Sequence, residues 1–210
     1  DFLRANLADD IAAIIAKHLD AERAEQARAL SVALLSGLPG ADLEDLDCHQ
    51  FFALSVGLLG FMESRKPGHA NLRMFNPDQE RDGWSSSHTV LEMVNDDMPF
   101  LLDSVCMKLS SQGIGIHQLI HPIISVRRDA KGHLTTLADG ESPESVMHFQ
   151  VDRQDPADFA KLCTQIEQVL VDVRAAVTDW LPMRERIQTV SQSLPDFCGT
   201  AMPEDVSEAV

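Results

Sequence analysis

The chain has 210 residues, of which 44% are hydrophobic and 24% charged; that supports one well-filled core and excludes disorder throughout. Its 33 acidic residues against 17 basic ones give a formal net charge of −16. Such a balance opposes nucleic acid and anionic membranes, and favours a soluble surface or a basic protein partner.

The four cysteines, at 48, 106, 163 and 198, form no C-x-x-C pair. In a chain of this size they read as free thiols in a reducing compartment, with Cys106 and Cys163 as core residues. No signal peptide is visible. The longest apolar run, Phe51 to Met62, is too short to span a bilayer of about 30 Å and reads as a buried helix. The chain begins at Asp1 in mid-pattern and ends in an acidic tail from Pro195 to Val210, so it is expected to be a piece of a longer polypeptide.

The first third is expected to be helical. Leu7, Ile11, Ile14, Ile15, His18 and Leu19 share one stripe, and residues 21–33 are rich in Ala, Arg and Glu. Gly37-Leu38-Pro39-Gly40 ends that run. Asp42 is a candidate N-cap for a second helix reaching Glu63, and residues 65–69 form a loop. Asn71 to Asn76 reads as a short strand. Asp78 to Ser87, with Trp84 and three serines, reads as an exposed connection.

The pattern then changes. His88 to Asn95 is a strand that is apolar on both faces, and Met98 to Gln112 a helix with Met98, Leu101, Leu102, Val105 and Leu109 at three-four spacing. Gly113 caps it. Ile116 to Arg128 is a long strand that Pro122 places at an edge or at a bulge. Asp129 to Gly132 is a hairpin turn and His133 to Leu137 the returning strand. After a loop, Val146 to Arg153 alternates, with Met147, Phe149 and Val151 facing in and His148, Gln150 and Asp152 facing out. Asp155-Pro156 opens a helix with a stripe from Phe159 to Val177, and Pro182 opens another to Leu194. Strand, helix, strand, hairpin strand, strand, helix is close to a split βαβ, ferredoxin-like order that lacks its last strand; Asn71 to Asn76 is the segment free to fill that edge.

One stretch concentrates unusual residues where a strand meets a helix: Asn95, Asp96, Asp97, Met98 and Pro99. Helix N-termini attract carboxylates and phosphates. Acidic side chains there suit the ammonium of an amino acid whose carboxylate sits on the backbone amides. The plainer reading makes Asp96 or Asp97 an N-cap and Pro99 a first-turn proline. Metal binding is not expected, because His117 and His121 lie roughly 13 Å apart on a strand. Neither G-x-G-x-x-G nor G-x-x-x-x-G-K-[ST] nor G-x-S-x-G occurs, and Gly113-Ile114-Gly115 follows a helix, the reverse of a dinucleotide turn.

The run HTVLEMVNDDMPFLLDSV, then SQGIGIHQLIHPIISVRRDAKGHL, resembles the N-terminal region of the large NAD-specific glutamate dehydrogenases of bacteria. DDMPFLLDS and the later HP followed by R-D-x-x-G carry the resemblance best. It implies an α+β, ACT-like or ferredoxin-like module over residues 71–180, an antiparallel sheet with helices on one face. A helical N-terminal segment over 1–70 precedes it, and a helix with an acidic tail over 181–210 follows. It further implies a non-catalytic regulatory or assembly module, with no cofactor of its own, inside a cytoplasmic, homo-oligomeric enzyme that oxidises L-glutamate with NAD. The partners implied are the enzyme's other domains and subunits, and an amino-acid effector at Asn95, Asp96, Asp97, Met98 and Pro99. ACT modules carry aspartate, proline and then glycine at that turn, whereas Phe100 follows Pro99 here, where it would fill or block the pocket. The rival readings are an architectural oligomerisation domain with no ligand and Phe100 in the core, and, last, a free-standing enzyme.

Overall fold

The structure, a computed structural model, describes residues 2–198. Residues Asp1–Leu170 make one compact unit and Val171–Val210 a second.

The N-terminal helices are α1 (Phe2–His18), α2 (Ala21–Gly37), the short α3 (Gly40–Glu44) and α4 (Cys48–Met62). Local capping sets their ends. Asp20 accepts the Arg23 N–H and starts α2. Asp47 accepts the N–H groups of His49 and Gln50 and starts α4. That second cap divides the single helix expected from Asp42 to Glu63 into two.

The sheet is built from β1 (Asn71–Phe75), β2 (Thr89–Asp96), β3 (Ile116–Ile120), β4 (Ile123–Arg128), β5 (Leu134–Leu137) and β6 (Ser142–Val151). Between β1 and β2 lies the one-turn α5 (Gln79–Asp82), and between β2 and β3 lies α6 (Leu101–Ser111). A 3₁₀ turn at Pro156–Asp158 leads into the long α7 (Phe159–Cys198). The strand order is β1-β2-β6-β4-β5, with β3 also on β6 and every pairing antiparallel. The NLRMF segment takes the edge beside β2, the place that the βαββαβ order left open. Pro122 has no N–H to give, and the expected long strand breaks there into β3 and β4, which share β6 as a partner.

The sheet is covered on both faces. Val90, Val94, Val146, Ile120 and Ile124 join Leu30, Leu34, Leu58 and Leu59 of the N-terminal helices in one core. The alternate positions Leu91, Met93, Met147 and Phe149 are as deeply buried, and the stripes Leu101, Val105 and Leu109 of α6 and Leu162, Ile166 and Leu170 of α7 serve them. The Cys163 thiol reaches the backbone of Met74 on β1, which ties α7 to that side.

Four side chains sit differently from expectation, and the second cover explains two of them. His148 is fully buried instead of facing water, because the N-terminal helices lie over its face. Trp84 is 6% exposed and packs edge-on to Phe75, so the connection before β2 contributes to the core. Cys106 and Cys163 are only half-buried. Pro182 does not start a new helix. It lies inside α7, where it costs one backbone hydrogen bond without ending the helix. The tail from residue 199 onward is outside the described residues.

Candidate functional site

The turn from β2 into α6 is built from both sheet faces. Asn95 is buried opposite Ser145 on β6, and Asp96 pairs with Glu144. The Asp97 N–H donates to the Pro143 carbonyl at 3.0 Å, which fixes the turn against the start of β6. Met98, Pro99 and Phe100 then lead to Leu101, so α6 starts three residues later than the apolar spacing suggested.

Neither aspartate is the N-cap. Phe100 holds that position with φ 69° and ψ 0°, and it makes no side-chain capping bond. Its backbone therefore adopts the left-handed conformation that a glycine would take without strain. Its ring is 68% exposed, so it neither fills a pocket in this turn nor belongs to the core. Phe100 thus gives the first turn of α6 no side-chain acceptor, and Asp96 and Asp97 bond Arg65 and Ser145.

Asp96 belongs to an ion network. Arg65, in the loop after α4, is 4% exposed and donates from Nη2 to Asp96 at 2.5 Å. The same guanidinium donates from Nε and Nη2 to Glu144 Oε1 at 3.0 and 2.7 Å. From the opposite side Arg128 donates from Nε to Oε1 at 2.7 Å and from Nη2 to Oε2 at 2.8 Å. Glu144 is 1% exposed and thus neutralises two arginines away from water. Burial works against the charge on Arg65, but the bonds to Glu144 and Asp96 outweigh it and raise its pKa. Gly132 lets the β4–β5 turn close over this cluster: at φ +88°, a Cβ there would stand 2.1 Å from the Arg65 carbonyl oxygen.

Asp97 belongs to a second chain of contacts. Ser145 Oγ donates to Asp97 at 3.3 Å and accepts from His121 Nε2 at 2.5 Å, with the ring tautomer assigned accordingly. Burial holds the His121 pKa below its ordinary value, partly offset by the Asp97 charge. The carboxylate meets the serine and not the imidazole, so these three do not form a nucleophile–base–orienter set.

Two further features were not singled out in the sequence. Glu92, 1% exposed in mid-strand, accepts from Arg73 and from His148 Nδ1 at 2.9 Å. Beside it a cavity of about 700 Å³ opens between α4, β1 and α5, lined among others by Arg73, Arg81, Phe75 and Trp84. A charged residue inside an otherwise apolar strand was the available signal. Neither this cavity nor two more, of about 240 and 610 Å³, is lined by Asn95, Asp96, Asp97, Met98 or Pro99.

NAD does not fit the glycine pair at the α6–β3 turn. The Gly115 N–H donates to Asp152, whose carboxylate stands 2.8 Å from where a Cβ would be, and no helix starts there to meet a phosphate. Among the described residues no group of three or more His, Cys, Asp or Glu is placed to hold a metal ion. Also among them, no helix is long and apolar enough to cross a membrane.

A six-stranded antiparallel sheet with helices, with a strand-to-helix turn between β2 and α6, defines an ACT-like α+β module. A family model described as "Glutamate dehydrogenase, ACT1 domain" matches residues 30–166, and the chain belongs to that family. The chain is 28% identical over 198 residues to an NAD-specific glutamate dehydrogenase of Halomonas elongata, covering 91% of this chain and 12% of that protein. It is 41% identical over 122 residues to an NAD-specific glutamate dehydrogenase of Pseudomonas aeruginosa, covering 55% of this chain and 8% of that protein. The chain thus spans about a tenth of the length of these curated relatives.

Proposed function

We propose that this chain is the non-catalytic regulatory and assembly module of an NAD-specific glutamate dehydrogenase. The parent reaction takes L-glutamate, NAD and water to 2-oxoglutarate, ammonia and NADH, in a cytoplasmic homo-oligomer. NAD and the reacting groups belong to the rest of the parent chain. The family match over residues 30–166 supports this reading.

The effector reading rests on one observation, the uncapped start of α6. Its N-cap residue Phe100 makes no side-chain capping bond, and a helix N-terminus favours a carboxylate. An amino acid would place its carboxylate there and its ammonium on Asp97, with Asn95, Asp96, Met98 and Pro99 shaping the turn. The purely architectural reading draws on Asp96 and Asp97 being engaged by Arg65 and Ser145.

Thermal unfolding against millimolar amino acids, 2-oxoglutarate, NAD and nucleotides separates them. A ligand at 100 times its Kd stabilises by about 2.7 kcal/mol, which is roughly 5 to 11 °C at this size. The expected result is a shift with an amino acid that Asp97→Ala abolishes while changing stability less. No shift across the panel rejects the effector site and leaves the architectural role.

A further inference from the structure

The second half of α7 carries an apolar stripe that runs out into water. Up to Val173 the buried positions are Leu162, Ile166, Leu170 and Val173, the stripe that the domain's own core takes. Beyond it the apolar positions Trp180, Met183, Ile187 and Val190 step by three, four and three residues. Leu162, Ile166 and Val173 are 7%, 1% and 8% exposed, whereas Trp180, Met183 and Ile187 are 61%, 57% and 65% exposed. A helix needing only its own domain's core follows a period of 3.6 residues and drifts about 20° per heptad from this repeat. A strict period of 3.5 keeps one seam facing a second helix along its length.

The charges beside the seam say what the second helix is. Trp180 and Ile187 occupy a positions, and Met183 and Val190 d positions. Asp179 then falls at g and Arg184 at e. In a parallel pair in register, each g residue faces the e residue five positions later on the other helix, so Asp179 meets Arg184 twice by symmetry. The chain as a whole is acidic, yet the span from Asp179 to Arg186 holds two acids and two arginines, so self-pairing is not repelled there. Pro182 lies at c, off the seam. We infer that residues 176–190 of α7 pair with the same segment of a second copy of this chain as a parallel coiled coil. This deepens the assembly half of the proposed function, and it is read by mass and not by ligand binding, so the effector site can fail without it.

The experiment is sedimentation equilibrium of the 210-residue chain at micromolar concentrations. The expected result is a concentration-dependent dimer. Met183→Glu and Ile187→Glu should each return it to monomer with unchanged far-UV circular dichroism, since both positions are exposed and not in the core. Asp179→Arg and Arg184→Asp should each weaken pairing about tenfold, and the two together should restore it. A wild-type chain that stays monomeric to about 100 μM overturns the inference, as does a dimer indifferent to Ile187→Glu. Restoration by Asp179→Arg with Arg186→Asp instead would overturn the parallel register, because g faces g only in an antiparallel pair.

Discussion

Glu144→Gln is the sharpest perturbation of the β2–α6 turn, although residue 144 lies on another strand. The native carboxylate accepts four N–H bonds from Arg65 and Arg128, and all three residues are under 10% exposed. Glutamine keeps the volume but removes the charge, and its amide NH₂ must face a guanidinium, donor against donor. Arg65 then keeps the Asp96 carboxylate, whose side chain is 37% exposed, while Arg128 keeps the carbonyls of Met62 and Gly132. Breaking a buried pair while leaving its partner charged costs about 3–5 kcal/mol, a large part of a domain's typical 5–15. For this size that is a fall in Tm of about 6 to 20 °C. Urea unfolding is the assay, with the midpoint expected to fall and the slope to stay constant. Asp96→Asn is the control and should cost about 1 kcal/mol or less, as a half-exposed pair does. If Glu144→Gln also costs under about 1 kcal/mol, the cluster is solvated and the argument is wrong.

Phe100→Gly should leave the fold as stable or up to about 1 kcal/mol more stable, because left-handed backbone costs a non-glycine residue about 1–2 kcal/mol and the exposed ring contributes little burial. A fall in Tm would mean the ring packs in the folded chain. Trp84→Ala should cost about 3–5 kcal/mol by denaturant titration, since the side chain is 6% exposed; a loss near zero would return that segment to an exposed connection. His121 has a folded pKa below its ordinary 6.5, so protonation favours the unfolded chain. Its contribution is fully present above pH 6.5 and is lost as pH falls towards the folded value. Stability measured between pH 7 and 5 should therefore drop, and His121→Gln should flatten that part of the profile; an unchanged profile would show that the burial of His121 is not felt.

What the sequence disclosed follows from how local each signal is. The α6 stripe and the Asp129–Gly132 hairpin are written in neighbouring residues, and each appears in the structure. The β1 edge could be inferred only by elimination, because a strand's partner is set by topology and not by its own residues. His148 and Glu92 were illegible for a related reason. Alternation tells which residues share a face, but not that helices far earlier in the chain will cover the polar one. Once that face is covered, His148 Nδ1 and Glu92 bond each other at 2.9 Å, while the buried His148 Nε2 has no hydrogen-bond partner among the described residues.

The candidate turn shows the same division. Its position was legible because a strand's apolar run stops at Asn95 and a helical stripe begins at Leu101. The duties of its residues were not, since Asp96 and Asp97 resemble helix caps in any local reading. Their partners, Arg65 and Ser145, lie 31 and 48 residues away. The departure from the family's glycine is the instructive case. Phe100 takes a left-handed backbone that a glycine would hold without strain and sends its ring outward, so the turn shows an aromatic ring to solvent. An aromatic ring held in a strained conformation at the surface gains nothing from this chain's own core.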